Sequence, residues 1–144
     1  LMAFMAMRAQ HMDEVILPAV KEGQIILCDR FTDATYAYQG SGRKIETQII
    51  DALNAMVTKG IRPNLTILLD ISVEKGLMRR AAASDMDRIE AEEISFHQRV
   101  REAYTRLAKE DPKRFFVVDA NLKVGAIHDL IKTKVGNILR SYGI

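Results

Sequence analysis

A short apolar run that ends in charge constrains this chain most. Ile25-Ile26-Leu27-Cys28 is followed at once by Asp29, Arg30 and Phe31. Unbroken apolar residues, with β-branched isoleucines among them, predict a strand buried on both faces. Such strands build parallel sheets, and the carboxyl ends of open α/β sheets are where ligands bind. A permanently charged arginine there suits phosphate, whose oxygens match the fork of guanidinium donors. The residues alone leave a second reading open, a salt-bridged Asp29–Arg30 pair closing the strand.

The rest of the chain supplies partners for such a strand. Apolar positions Phe4, Met7, Met12, Val15 and Ile16 predict a helix over residues 1 to about 21, stopped near Pro18 and Gly23. From Phe31 to Lys44 the composition turns polar and Gly-rich, predicting a loop or short irregular helix. A second helix covers Ile45 to Lys59, with Ile49, Ile50, Leu53, Met56 and Val57 on its apolar face and Gly60 closing it. Leu65 to Ile71 predicts a strand. Ser72 begins a helix running towards Ala83, without the glutamate that would complete a capping box. A long helix from about Ile89 to Lys109 is ended by Asp111-Pro112. Phe115 to Asp119 is the next strand, and a last helix covers about Val124 to Leu139. Alternating strands and helices predict an α/β fold, a parallel sheet covered by helices with right-handed crossovers. Each predicted strand ends in aspartate: Asp29, Asp70 and Asp119.

Composition narrows the classes. At 144 residues the chain suits a single domain, 1–144, with a real core. A net charge of +2 gives no global pull towards nucleic acid or an anionic membrane, so anion binding must be local. A lone cysteine, Cys28, excludes an internal disulfide framework and reads as a small core residue. His11, His97 and His128 have no metal-ligand spacing, so no metal ligand is assigned. No stretch resembles a signal peptide or a membrane span, and a cytoplasmic setting is expected.

Several groups of residues could carry chemistry. Gln39-Gly40-Ser41-Gly42-Arg43-Lys44 does not match the G-x-x-x-x-G-K-[ST] phosphate loop and reads as a flexible turn. Tyr36-Ala37-Tyr38-Gln39 offers rings to flank a sugar or base and an amide to read a polar edge. Phe4 and Arg8 share one helical face, where a ring and a cation would suit a flat, polar-edged ligand. A core Phe4 beside a surface Arg8 is the plainer reading. Residues 79–90 set arginines on both sides of a small-residue hinge, either a lid or a solvated helix junction. An arginine delivered to a transferring phosphoryl group can raise the rate by roughly 10³–10⁵.

In order and spacing, these pieces resemble thymidylate kinase. The resemblance is carried by Phe4-x-x-x-Arg8, Asp29-Arg30-Phe31 and Ala37-Tyr38-Gln39-Gly40. It continues through Arg62-Pro63-Asn64-Leu65-Thr66, Leu68-Leu69-Asp70 and Asp87-Arg88-Ile89-Glu90 before Phe96. It implies a P-loop NTPase-like fold that transfers the γ-phosphoryl of Mg-ATP to dTMP, usually as a homodimer. By that resemblance Phe4 stacks on thymine, while Arg8 and Gln39 read its edge with Thr35. Arg30 holds the dTMP phosphate, and Tyr38 lies against the deoxyribose. Arg79 lies near adenine, which Asp119, Ala120 and Asn121 border. Arg88 or Arg80 is the catalytic lid cation, and Asp29 orients Arg30 or the metal's waters. No general base is required, because an acceptor phosphate with a second pKa near ~6 is already largely dianionic.

Two features depart from the family pattern. The phosphate loop and its preceding strand are absent, which reads as an N-terminally incomplete chain, inactive alone. The middle of the lid carries Ala81, Ala82 and Ala83 where bacterial relatives often have arginines. Other readings are a deoxynucleoside kinase, or a non-catalytic nucleotide-binding module if the chain is naturally this short.

Overall fold

The computed structural model describes residues 1–81 and 93–143, with residues 80 and 81 as backbone only. The chain forms two compact units, Leu1–Pro63 with Ser95–Tyr104, and Asn64–Ile94 with Thr105–Ile144.

In the first unit, helix α1 (Met2–His11) runs into a π-helical segment (Met12–Ile16) and then α2 (Leu17–Lys21). The wide turn sits just before Pro18, whose missing N–H and bulky ring break a regular i→i−4 ladder. The helix ends at Lys21, as the sequence predicts. Its buried line, however, is Met5, Met12 and Ile16. Met12 and Ile16 are buried as expected, whereas Phe4, Met7 and Val15 are 50%, 67% and 51% exposed and Met5 is buried in the first turns instead. Apolar residues cover two faces of this helix, and one of them packs on α4 (Thr47–Thr58).

The expected first strand does not form. Residues 24–28 form no regular element, and Leu27 is 91% exposed. A strand exists only through hydrogen bonds to a neighbour, and the sheet of the described residues holds two strands, neither of them this segment. Cys28 is correspondingly exposed rather than in the core.

The polar, Gly-rich segment folds as a short irregular helix. Helix α3 (Thr32–Thr35) continues as a π-helical segment (Tyr36–Gly42), where the Arg43 N–H donates to the Tyr38 carbonyl at 3.1 Å, five residues back. Its glycines are not a flexible turn. Gly40 and Gly42 are buried, and a Cβ on Gly42 would lie 2.6 Å from Phe96 Cε2. Glycine is there because helix α6 (Ile94–Glu110) presses against the backbone. Arg99 of α6 then donates to the Gly42 carbonyl from Nη2 at 2.9 Å and from Nε at 3.3 Å. Helix α4 buries Ile50, Asn54 and Thr58, one line at spacing four. Ile49 and Met56 of its expected apolar face are exposed. Lys59 (φ 52) and Gly60 (φ 78) take left-handed backbone and end it.

The second unit is built on strands β1 (Thr66–Asp70) and β2 (Phe115–Asp119), parallel and in register from Thr66↔Phe115 to Asp70↔Asp119. Two of the three strand-end aspartates thus face each other, whereas Asp29 lies on no strand. Arg114 pins the other end of the pair. Its Nη1 donates to Thr66 Oγ1 at 2.7 Å, its Nε to Asp111 Oδ2 at 3.0 Å, and its carbonyl accepts the Thr66 N–H at 2.9 Å. Ser72 caps α5 (Val73–Ala81) by accepting the Lys75 N–H at 3.4 Å. Helix α7 (Val124–Ser141) packs on β2. Glu93 is extended (ψ 149), so α6 begins at Ile94, and the earlier expected start near Ile89 lies outside the described residues. Among the described residues no helix is long and apolar enough to cross a membrane.

Candidate functional site

The first unit gathers most of the substrate-binding residues that the sequence points to. Arg8 projects from α1 to both ends of α3, its Nη1 donating to Thr35 Oγ1 at 2.7 Å and its Nη2 to the Phe31 carbonyl at 2.9 Å. A third bond runs from Nη1 to Asn54 Oδ1 on α4 at 3.1 Å. The guanidinium carbon also lies 5.4 Å from the centre of the Phe31 ring. Burial lowers the Arg8 pKa, against the opposing fields of Cys28 and Asp33, yet an arginine stays charged at any ordinary pH. The side chain is therefore a fixed cation held by acceptors from two helices. One turn earlier, Phe4 offers a half-exposed ring on the same helix.

Arg30 is the next element. Its backbone is left-handed (φ 61), a conformation costing a non-glycine residue about 1 kcal/mol or more. Strain of this kind persists where surrounding structure dictates the direction of a side chain. Here the guanidinium stands 5.1 Å over the Tyr38 ring, a cation–π arrangement, and is not paired to Asp29. Tyr38 in turn meets Phe96 and Tyr104 edge to face, at 6.2 Å and 6.4 Å between centroids. Burial, with Tyr38 next, pushes the Tyr104 phenol well above the usual tyrosine range. Asp29 itself is exposed.

Unsatisfied groups also collect in this unit. Gln39 is buried with no partner for Oε1, and Asn54 is buried with no aligned partner for Nδ2, although it stands beside the Tyr36 phenol. Burial, and then the 2.5 Å bond that Tyr36 donates to Asp51, raise that phenol's pKa. His97 Nε2 is a third such atom, and since a buried polar atom without a partner costs about 1–3 kcal/mol, three in one unit are more readily retained for binding than for stability.

In the second unit, the four residues expected around adenine come together. Arg79 Nη1 donates to the Ala120 carbonyl at 2.7 Å. Asp119 Oδ1 accepts the backbone N–H of Asn121 at 2.8 Å and its side-chain amide at 2.6 Å. Those bonds hold the Asp119 carboxyl below the usual carboxylate range. Lys75, one turn before Arg79, donates to Asn121 Oδ1 at 3.2 Å. The loop after β2 is thus anchored to one face of α5. Of the lid candidates, Arg88 lies outside the described residues, and so does the side chain of Arg80. No group of three His, Cys, Asp or Glu side chains that could hold a metal ion occurs among the described residues.

Sequence reasoning missed Asn54, Arg99 and Tyr104. Asn54 follows Ile50 by one turn on the buried line of α4, and a polar side chain at that spacing is the available signal. Arg99 and Tyr104 lie on a helix whose first unit contacts are set by the glycines of a distant segment, which periodicity does not reveal.

Known proteins resemble this chain in sequence and in fold. The sequence model of the thymidylate kinase family matches residues 1–131. A thymidylate kinase of Trichlorobacter lovleyi is 48% identical over 141 residues, covering 94% of this chain and 66% of that protein. One of Methylococcus capsulatus is 44% identical over 142 residues, covering 99% of this chain and 68% of its own length. The chain therefore spans about two thirds of the length of such relatives. The crystal structure of a thymidylate kinase from Ehrlichia chaffeensis superposes with a TM-score of 0.69 at 31% identity, over 93% of this chain and 62% of that one. The fold class is α/β of the P-loop NTPase kind. On its sequence and on its fold, the chain belongs to the thymidylate kinase family.

Proposed function

We propose that the full-length protein transfers the γ-phosphoryl group of ATP to dTMP, giving dTDP for dTTP synthesis. The observation that carries this reading is the fixed Arg8 guanidinium, bonded to Thr35, Asn54 and the Phe31 carbonyl beside a half-exposed Phe4 ring. A rigid cation one turn from an open aromatic face suits a planar base with a carbonyl edge. Phe4 stacks on thymine, Arg8 donates to its edge, and Thr35 and Gln39 complete the polar contacts. Arg30 holds the acceptor phosphate, with Tyr38 against the sugar.

Arg79, Asp119, Ala120 and Asn121 border the adenine of ATP. ATP and magnesium supply the phosphoryl donor and its charge neutralisation when bound. Asp29 keeps its proposed role near Arg30 and the metal's waters, and Arg80 and Arg88 remain the proposed lid cations. We place the reaction in the cytoplasm, with neither nucleic acid nor membrane as partner. A homodimer is proposed as the working form, and exposed Met7 on α1 and Met56 on α4 are candidate contacts.

The test is product formation by the full-length protein from ATP with dTMP or with thymidine. Formation of dTDP from dTMP is expected; product from thymidine alone would refute the reading.

A further inference from the structure

We infer that Asn54 is a positioning residue that sets base discrimination by fixing Arg8, an inference that rests on the dTMP reading above. Asn54 belongs to no motif. It lies on α4 between Ile50 and Thr58, on the line that this helix buries, and is 5% exposed. Its amide orientation is dictated from outside, because arginine only donates and Oδ1 must therefore face it. The consequence is a buried Nδ2 without an aligned partner. The side chain is thus oriented by Arg8, with Nδ2 left beside the Tyr36 phenol.

The proton count gives the reason. Arg8 Nη1 carries two protons, one taken by Thr35 Oγ1 at 2.7 Å and the other by Asn54 Oδ1 at 3.1 Å. The Phe31 carbonyl takes one proton of Nη2 at 2.9 Å. Because the guanidinium is planar, acceptors at these three points fix its plane. The second Nη2 proton and the Nε proton are outside this set and are presented in a set direction. A fixed, donor-only edge accepts the 4-oxo group of thymine. It opposes the 4-amino group of cytosine, which brings a hydrogen where an acceptor is needed. Without Asn54, an Nη1 proton is released and the guanidinium can rotate, so the edge loses its definition. Asn54 touches no base in this scheme and acts through Arg8.

The test is calorimetric binding of dTMP and dCMP to the full-length protein and its Asn54→Leu and Asn54→Asp variants. Leucine keeps the volume and removes the acceptor, whereas aspartate keeps an oxygen opposite Arg8. Asn54→Leu is expected to lose about tenfold of the dTMP-over-dCMP preference, the worth of one buried hydrogen bond. Asn54→Asp is expected to retain the preference within about twofold. Should Asn54→Leu not fold, Asn54→Ser, too short to reach Arg8, supplies the same comparison. A purely structural role would weaken both nucleotides alike and leave their ratio unchanged, which would overturn the inference while the dTMP reading stood. A wild-type protein with no preference for dTMP over dCMP would overturn both.

Discussion

The Arg30 guanidinium stands 5.1 Å over the ring of Tyr38, eight positions later in the chain, and Arg30 adopts left-handed backbone to put it there. The ring holds the cation by its face, so the edges of the guanidinium are left to bind a ligand. Replacing Arg30 with alanine is expected to weaken dTMP binding by about 100-fold, the usual scale for loss of one arm of a charge-assisted contact. Arg30→Lys should recover little, since an ammonium lacks the planar fork. Isothermal titration of dTMP checks both, and near-native affinity in Arg30→Ala would remove the phosphate role.

Gly42 tests the packing behind this site. A Cβ there would meet Phe96 Cε2 at 2.6 Å and Val100 Cγ2 at 3.1 Å. Gly42→Ala is expected to destabilise the protein by about 1–3 kcal/mol. Combining it with Phe96→Leu should recover part of that loss, because the two sites share one contact. Denaturant unfolding of the two single variants and the double variant gives the coupling, and strict additivity would argue against the close approach.

Much of this architecture is legible in the sequence, though unevenly. The strand Phe115–Asp119 is predicted to the residue, because a continuous apolar run between polar breaks permits little else. The end of the first helix at Lys21 follows from Pro18 and Gly23. The Ile25–Cys28 run fails as a strand because composition cannot say whether a ladder partner is present. On the first helix Met12 and Ile16 are buried as expected but Met5 is buried in place of Phe4, since apolar side chains occupy two adjacent faces and only tertiary packing chooses between them. Arg8 and Thr35 were both candidates, but their 2.7 Å bond joins positions 27 apart, and no local pattern encodes it.

The tyrosines make stability fall in alkali. Burial raises both the Tyr36 and the Tyr104 phenols, so the folded state retains protons that the unfolded chain releases. The unfolded state then binds fewer protons, and stability declines as pH rises past an unfolded tyrosine value of about 10 and through the higher folded values. Below that range the contribution is fully present. Tyr104→Phe should flatten the decline between pH about 10 and 12 in denaturant titrations. An equally steep decline in the variant would contradict the assignment.

Arg79 tests the proposed adenine border by itself. Its 2.7 Å bond to the Ala120 carbonyl fixes the loop carrying Asp119 and Asn121. Arg79→Ala is expected to raise the KM for ATP by about 5- to 30-fold, the range for a charged hydrogen bond of roughly 1–2 kcal/mol. The KM for dTMP should change by less than about twofold, since the effect is confined to the adenine border. Equal rises in both would show that the loop supports the whole protein rather than the adenine border.

The Phe4, Arg8, Arg30 and Tyr38 group is proposed to accept dTMP for phosphorylation. The deciding experiment is kcat/KM of the full-length protein with saturating Mg-ATP across dTMP, UMP and AMP. A preference for dTMP of about 100-fold or more is expected, because fixed polar groups and a sugar-facing ring both discriminate. Comparable kcat/KM values for the three acceptors would contradict it.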